Sequence, residues 1–509
     1  MENKTEARQS RRSFVKLSTA ALSTVALGAL SPTASGQAEK KSKPVEKSSR
    51  PNFVFIMCDQ MRGDAMGCLG SPDAHTPRLD EMASKGTLFD RAFCNNPVCA
   101  PSRMSMFSGK YPHQVDRLSN IKGKTSRYLD FKGSLGDYFK QQGYTTAYIG
   151  KNHTYERLEL QNYDFVSNRD REAFRAYNKF VQPSWHSNTL WPRERCHPKI
   201  STDAAVEFMS KQGGEQPFFM HISYFDPHPP YMAPADVANT YAASKMTLPE
   251  YIDPSKLSKR LSDHQKALNY DKISDAELKS TKKYYHASIE WGVDYQVGRI
   301  LDSLKEQGLD KNTIVVFTSD HGDYMGEYRM VRKSMHLYDA LMHVPMIWYG
   351  PGHIKEGARI SNLAQCLDIY PTLADLSGGT IPSQLEGRSL KPFLDGESTE
   401  EPDYAVVATA AYSDLPENYF ENPEKPYDTS SGVPFHSRVE KLTWKPEHRT
   451  AMARTKDWKL ILSESQPAEL YHMNGGTIER ENVADDSRYA EVLKKLKAEI
   501  QSKWYAFVV

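Results

Sequence analysis

Five short apolar runs constrain the fold more than any other feature of this chain: residues 53–57, 145–149, 218–223, 314–318 and 344–349. Each is short enough for one strand and apolar enough to be buried on both faces, as central strands of a parallel sheet are. Helical patterns lie between them. The clearest runs from about Tyr284 to Gln307, where Ile289, Val293, Val297, Ile300, Leu301 and Leu304 share one face and Gly308 is a natural stop. Strands alternating with helices predict an α/β fold, a large mainly parallel sheet sandwiched by helices. Beyond about residue 400 the texture changes. A Pro/Glu/Asn/Ser-rich connection leads to short strand-like segments at 449–454, 458–462 and 469–473, then a charged amphipathic stretch from Tyr489 to about Lys503. That is a smaller α+β subdomain with an antiparallel sheet and a terminal helix.

The residues just past each run matter as much as the run. Asp59-Gln60 comes after the first, Lys151 and His153 after the second, Asp226-Pro227-His228 after the third and Asp320-His321 after the fourth. Open α/β sheets bind their ligands beyond the carboxyl ends of the strands. Four runs delivering polar, chemically capable residues to that place predict one site.

The 509 residues allow a large core, and 39% hydrophobic with 25% charged content is ordinary for a globular protein. Lys+Arg 65 against Asp+Glu 64 leaves no whole-chain attraction to nucleic acid or to an anionic membrane. Affinity for an anion must come from local cations. The six cysteines (Cys58, Cys68, Cys94, Cys99, Cys196, Cys366) contain no CxxC pair and indicate neither a zinc module nor a disulfide scaffold.

The chain opens with Arg8-Gln9-Ser10-Arg11-Arg12-Ser13-Phe14-Val15-Lys16, a mildly apolar stretch over 17–30 and small residues over 32–36. Paired arginines before such a stretch predict a twin-arginine signal peptide over 1–36, export through the twin-arginine translocase, and a periplasmic or secreted protein. The stretch is too short and too rich in Ser/Thr for a stable membrane span. Residues 37–50 read as a flexible leader.

The sharpest motif is Val98-Cys99-Ala100-Pro101-Ser102-Arg103-Met104-Ser105-Met106-Phe107-Ser108-Gly109. By itself it reads equally well as a buried thiol before a helix that begins at a proline. In this segment, however, the chain resembles the formylglycine-dependent sulfatases of the alkaline-phosphatase-like superfamily: Cys, any residue, Pro, Ser, Arg, then a short segment closing in Ser/Thr-Gly. The resemblance extends along the chain through Asp59-Gln60, Thr76-Pro-Arg-Leu-Asp80, Gly86-Thr-Leu-Phe89, Gly150-Lys151-Asn152-His153, Pro227-His228-Pro229-Pro230, Ser319-Asp320-His321-Gly322, Lys333, Tyr338-Asp339, Asp368-Ile-Tyr-Pro-Thr-Leu373, Gly387, Trp458-Lys-Leu-Ile461 and Glu469-Leu-Tyr471. It implies a catalytic domain over 51–398 and a C-terminal subdomain over 399–509.

The resemblance also implies a chemistry. A formylglycine-generating enzyme oxidises Cys99 to an aldehyde, which hydrates to a diol. One hydroxyl attacks sulfur and the alcohol leaves; sulfate is then expelled as the aldehyde re-forms. Negative charge builds on the sulfate oxygens, and fixed cations stabilise it. Arg103, Lys151 and Lys333 are expected there. His228, with Lys333, is expected to protonate the leaving alcohol, and His153 to take the proton of the second hydroxyl. Asp59, Gln60, Asp320, His321 and an oxygen of modified Cys99 are the implied metal ligands. Oxygen donors favour Ca2+ or Mg2+. The family commonly shows two acids at the first pair and Asp-Asn at the second, so Gln60 and His321 lower the ligand charge and leave Mn2+ and Zn2+ open; the resemblance implies Ca2+ first.

Residues 155–191 are rich in rings and arginines (Tyr155, Arg157, Tyr163, Phe165, Arg169, Arg171, Phe174, Arg175, Tyr177, Trp185, Trp191), which suits a sulfated sugar or ordinary loop packing. Asp323, Tyr324, Arg329 and Arg332 flank the metal and lysine motifs and are expected to line the pocket, with Tyr324, Arg329 and Arg332 as its substrate-binding residues. The expected substrate is a sulfated carbohydrate, an algal polysaccharide or a glycosaminoglycan-type oligosaccharide. Two other readings stay open: a phosphonate monoester or phosphodiester hydrolase with the same modified cysteine, and a non-catalytic sulfoglycan-binding protein.

Overall fold

The computed structural model describes residues 49–115, 118, 120, 133–154, 163–169, 186–188, 192–397, 405–412, 448–474, 476, 478–505 and 507. The expected signal peptide, most of the leader and most of the ring-rich segment lie outside the described residues. Among the described residues no helix is long and apolar enough to cross a membrane.

The strands in chain order are β1 (Asn52–Cys58), β2 (Thr87–Phe93), β3 (Thr145–Gly150), β4 (Phe165–Ser167), β5 (His186–Asn188), β6 (Phe218–Ser223), β7 (Tyr231–Ala233), β8 (Thr313–Ser319), β9 (His343–Tyr349), β10 (Ala358–Ile360), β11 (Ala364–Gln365), β12 (Val406–Tyr412), β13 (His448–Arg454), β14 (Trp458–Ser463) and β15 (Glu469–His472). The main sheet runs β10-β2-β9-β8-β1-β6-β3-β4, with β11 also on β2. All of its pairings are parallel except those of β9 with β8 and β2. Alternation along β1 sends Phe53, Phe55 and Met57 into one apolar layer and Val54, Ile56 and Cys58 into the other. Both faces are covered, as five short, mostly apolar runs require.

β2 escapes the periodicity test for a local reason. Asp90-Arg91 breaks its apolar run, and the register against β9 shifts between Phe89 and Ala92, so the charged pair occupies a bulge.

The long helical stretch begins earlier than its apolar stripe suggests. Ser274 and Glu277 form a capping box, and the helix Asp275–Ile289 passes through a π segment, Glu290–Asp294, into Tyr295–Glu306. The π segment turns Asp294 toward the helix Pro77–Ser84. There its Oδ1 accepts from the backbone N–H of Arg78 at 3.0 Å and of Leu79 at 2.8 Å. Burial brings the Asp294 carboxyl up to about 7. A carboxyl raised in the folded state binds its proton there and loses it in the unfolded chain, so stability falls as pH rises from about 4 to 7. Asp294→Asn keeps the Oδ1 acceptor and removes the charge. It is expected to exceed wild type in stability at pH 8, with the gap closing toward pH 4; urea melts at the two pH values measure it, and a gap independent of pH would refute it.

The C-terminal sheet runs β12-β13-β14-β15, antiparallel throughout. One face packs Ala451, Ala453, Leu460 and Leu462 against Leu496 and Ile500 of the terminal helix Ala490–Lys503 and against Trp504 just past its end. The other adds Val406, Ala408, Met452 and Ile461 to the layer beneath the main sheet. The added strand, β12, is mostly Val and Ala and carries little pattern of its own.

Candidate active site

The carboxyl ends of β1, β3, β6 and β8 converge as expected. Asp59 leaves β1, Lys151 leaves β3 and Asp320-His321 leave β8, all of them buried. Asp59 is fixed from β6's side, where its N–H donates to Asp226 O at 3.1 Å. Cys99 is the first residue of the helix Cys99–Ser108, whose ten residues are all buried and whose end is set by Gly109 in the left-handed region at φ 67°.

Arg103, one turn along that helix, is completely buried. It donates from Nε to Asp320 Oδ2 at 2.6 Å, from one terminal nitrogen to Asp59 Oδ2 at 2.9 Å, and from the other to Ser223 Oγ at 2.6 Å. Its planar fork therefore locks the two metal-motif carboxylates to the nucleophile helix. Ser102 adds a second tie, Oγ to Asp320 O at 2.5 Å.

The Cys99 sulfur sits among charged groups. Lys333 Nζ is 2.9 Å away, His321 Nε2 3.2 Å, Asp59 Oδ1 3.5 Å and Lys151 Nζ 3.9 Å. Burial by itself raises the thiol pKa, but the Lys151 and Lys333 charges outweigh it and hold the group well below its ordinary value. Burial and Cys99 also push Asp59 up, and the same two lysines hold it well below the usual carboxylate range. Burial, against the pull of Arg103 and with the push of Asp59, brings Asp320 up to about 6. Burial lowers Lys333, and the charges of Cys99 and Asp59 more than restore it, so its ammonium is firmly charged.

The histidines have defined orientations. His321 Nδ1 lies 2.8 Å from Gly322 O and His228 Nδ1 2.7 Å from Pro229 O. A carbonyl only accepts, so each Nδ1 carries a hydrogen, which leaves Nε2 as the ring nitrogen that can meet another partner. Burial, then Lys333 and Lys151, push His228 down to about 4. Burial also lowers His153, while its hydrogen bond to Cys99 acts in the opposite direction.

Donor atoms of Asp59, Cys99, Asp320 and His321 all lie within 4.8 Å of one another. That is about twice a calcium–oxygen bond of 2.3–2.6 Å, a spacing on the scale of a single ion's ligand shell. Gln60 joins them with its oxygen: Oε1 accepts from Lys333 Nζ at 2.8 Å. The donor set, two carboxylates, an amide oxygen and one imidazole, fits a divalent cation.

Not every expected residue reaches this cluster. Tyr324 is fully buried, with its hydroxyl 2.9 Å from Ser334 Oγ and 2.8 Å from His336 Nδ1, so it packs in the core. Arg329 is turned away to Asp275 at 2.8 Å and to Ile273 O. Arg332 is half-buried and donates its backbone N–H to Asp323 Oδ1 at 2.8 Å. Asp323 is itself buried and holds neighbours in place. Of the ring-rich segment, Tyr163 meets Tyr148 edge-on and Phe165 packs on Phe208, both half-buried against the core. Sequence reading placed Asp226 beside the site but missed its carbonyl as a holder of Asp59, and missed Ser223 as a holder of Arg103.

A model of the sulfatase family matches residues 51–379. An arylsulfatase of Clostridium perfringens is 30% identical over 394 residues, 70% of this chain and 80% of its own length. A Δ4,5-hexuronate-2-O-sulfatase of Bacteroides thetaiotaomicron is 27% identical over 468 residues, 89% of this chain and 88% of its own. Among solved structures, the phosphonate monoester hydrolase of Agrobacterium radiobacter superposes with TM-score 0.70 at 22% identity, covering 90% of this chain and 96% of that one. With the match spanning more than half the chain and taking in Asp59, Cys99, Arg103, Lys151, His228, Asp320 and Lys333, the chain belongs to the sulfatase family.

Proposed function

We propose that this sulfatase removes sulfate from a sulfated carbohydrate, with Cys99 matured to formylglycine as its nucleophile and a calcium ion held by Asp59, Gln60, Asp320, His321 and the modified side chain. The observation that carries the reading is the ring of cations and metal donors within 4 Å of one buried sulfur. The similarity to a hexuronate-2-O-sulfatase along nearly the whole of both chains supports a carbohydrate substrate.

A divalent ion here supplies Lewis-acid charge against the developing negative oxygens of the sulfate group. Arg103 fixes the spacing of Asp59 and Asp320 on one side and of the nucleophile helix on the other. Lys151 and Lys333 hold positive charge at the sulfate position in a water-poor site, where it is most effective. The bound ester brings the anion that offsets both ammonium groups at His228, so its Nε2 takes up and delivers the proton of the leaving alcohol, with Lys333 beside it. His153 accepts the nucleophile's second proton. An export signal at the N-terminus, read by the twin-arginine translocase, would place the enzyme in the periplasm or outside the cell, where sulfated polymers are met.

The test is release of inorganic sulfate and phosphate from sulfated oligosaccharides, aryl sulfates and phosphonate esters, after co-expression with a formylglycine-generating enzyme. Sulfate from a glycan is the expected result. Phosphonate turnover alone would move the protein to the other hydrolase class, and an unoxidised Cys99 in active native protein would remove the proposed nucleophile.

Stripping the metal provides a second check. EDTA treatment is expected to abolish turnover and to lower stability by about 3–4 kcal/mol relative to protein with Ca2+ at 100–1,000 times its dissociation constant. Both return on adding Ca2+. Full activity of the chelated, dialysed enzyme contradicts the metal assignment.

A further inference from the structure

Asp323 belongs to neither the nucleophile nor the metal set, yet it is fully buried and makes four hydrogen bonds. Its Oδ2 accepts from Gln60 Nε2 and from the Tyr231 hydroxyl, each at 2.6 Å. Its Oδ1 accepts from the backbone N–H of Met325 at 2.9 Å and of Arg332 at 2.8 Å. The two oxygens do different things.

Oδ2 decides which way the Gln60 amide faces. A carboxylate only accepts, so Asp323 must meet the amide nitrogen. The Lys333 ammonium only donates, so it must meet the amide oxygen, which it does at 2.8 Å. Both neighbours impose one orientation, with the oxygen on the side of Lys333 and Cys99. The backbone cooperates: Gln60 is held in the left-handed region at φ 73°, with its N–H on Asp320 Oδ1 at 3.0 Å. A carboxylate at position 60 would meet Asp323 as a buried like-charge pair.

Oδ1 closes the loop that delivers Lys333. Between Asp323 and Lys333, four non-glycine residues lie in the left-handed region: Met325 at φ 40°, Tyr328 at 52°, Arg329 at 56° and Arg332 at 69°. L-residues rarely adopt that conformation, and it persists only where the surroundings enforce it. The same carboxylate oxygen binds the N–H near each end, and the next residue is Lys333.

We propose that Asp323 is the positioning residue of this site. It turns the oxygen of Gln60 toward the metal position and closes the loop that places the Lys333 ammonium beside Cys99. The inference rests on the metal reading proposed above, and its test separates the two.

Asp323→Asn is the informative change, because Asn Oδ1 still binds Met325 and Arg332 while Nδ2 now faces Gln60. Two NH2 groups cannot pair, so the Gln60 amide turns over and presents nitrogen to the metal position. Titration of the EDTA-stripped full chain with Ca2+ in a calorimeter is expected to show binding weakened about 10–100-fold, as loss of a supporting partner does. The double variant Gln60→Glu/Asp323→Asn pairs the new amide with a carboxylate and is expected to bind within a few-fold of wild type. Wild-type affinity in Asp323→Asn, or a double variant as weak as Asp323→Asn, overturns the proposal. The melting temperatures of the stripped proteins give an arm that needs neither metal nor activity. Gln60→Glu alone is expected to melt well below the double variant, and an equal or higher melting temperature for the single change also overturns the proposal. That comparison decides the matter if Asp323→Asn does not fold. Failure of wild type to bind Ca2+ would refute the metal reading, and the melting comparison would still decide the role of Asp323.

Discussion

Cys99→Ala, expressed with the maturation enzyme, is expected to release sulfate no faster than the assay background, a loss of about 10^4-fold or more, while melting within a few degrees of wild type. The two halves of that expectation have separate origins. Activity disappears because Cys99 is the one member of the buried cluster that supplies a nucleophile. Lys151, Lys333, His321 and Asp59 all lie within 4 Å of its sulfur. Structure survives because alanine is well tolerated at the first position of the helix Cys99–Ser108, and the ties that hold this helix to the sheet come from Arg103 and Ser102. Ion chromatography of released sulfate, alongside a thermal melt, reads both halves. Retention of more than about 1% of turnover would mean that another group attacks sulfur, since loss of a true nucleophile is far more severe. A collapsed melt together with lost activity would make Cys99 a packing residue and leave the nucleophile unassigned.

Much of this site is legible along the chain, for a physical reason. Asp59, Lys151 and Asp320 each come soon after an apolar run, and the ends of parallel strands must meet on one side of the sheet. Their convergence needs no knowledge of the order β10-β2-β9-β8-β1-β6-β3-β4. Cys99 and Arg103 are legible because they lie on one turn of one helix. What is hidden is direction. Tyr324 and Arg329 sit between His321 and Lys333 in sequence, which suggests a pocket wall, but the left-handed backbone at Tyr328 and Arg329 sends Arg329 to Asp275, and the Tyr324 hydroxyl binds Ser334 and His336. The work of Asp323 is hidden for a related reason: its partner Gln60 lies 263 residues away, and no periodicity connects them. The reversed direction of β9 is equally invisible, because a doubly buried run reads alike in either direction.

The largest stability effect is expected from Lys459→Met in β14. Lys459 Nζ contacts Asp339 Oδ1 and Glu479 Oε1, each at 2.6 Å, with no exposed side-chain surface at Lys459 or at either carboxylate. Arg454 Nε adds a 3.1 Å contact to Asp339 Oδ2, and the Tyr328 hydroxyl binds Glu479 Oε2 at 2.7 Å. The cluster joins the C-terminal sheet to both sides of Lys333: Tyr328 precedes it and Asp339 comes after it in the chain. Burial pushes Asp339 up, but Lys459 and then Arg454 hold it below the usual carboxylate range, while Glu479 is raised by burial, against Lys459 and with the push of Asp339. Methionine has the reach of the lysine stem but none of its charge, so two buried carboxylates would face each other with Arg454 alone to offset them. Breaking such a network by removing one partner destabilises by about 3–5 kcal/mol. The pH dependence identifies the cause. In the variant a raised Glu479 holds its proton in the folded state and not in the unfolded one, so folding binds protons and the deficit shrinks as pH falls from 8 toward 5. Adding Glu479→Gln to Lys459→Met is expected to recover part of the loss at pH 8 and little at pH 5. A deficit below about 1 kcal/mol, the range of exposed ion pairs, would show that these charges are not what holds the two sheets together. A large deficit indifferent to pH would assign the loss to packing around the lysine stem instead.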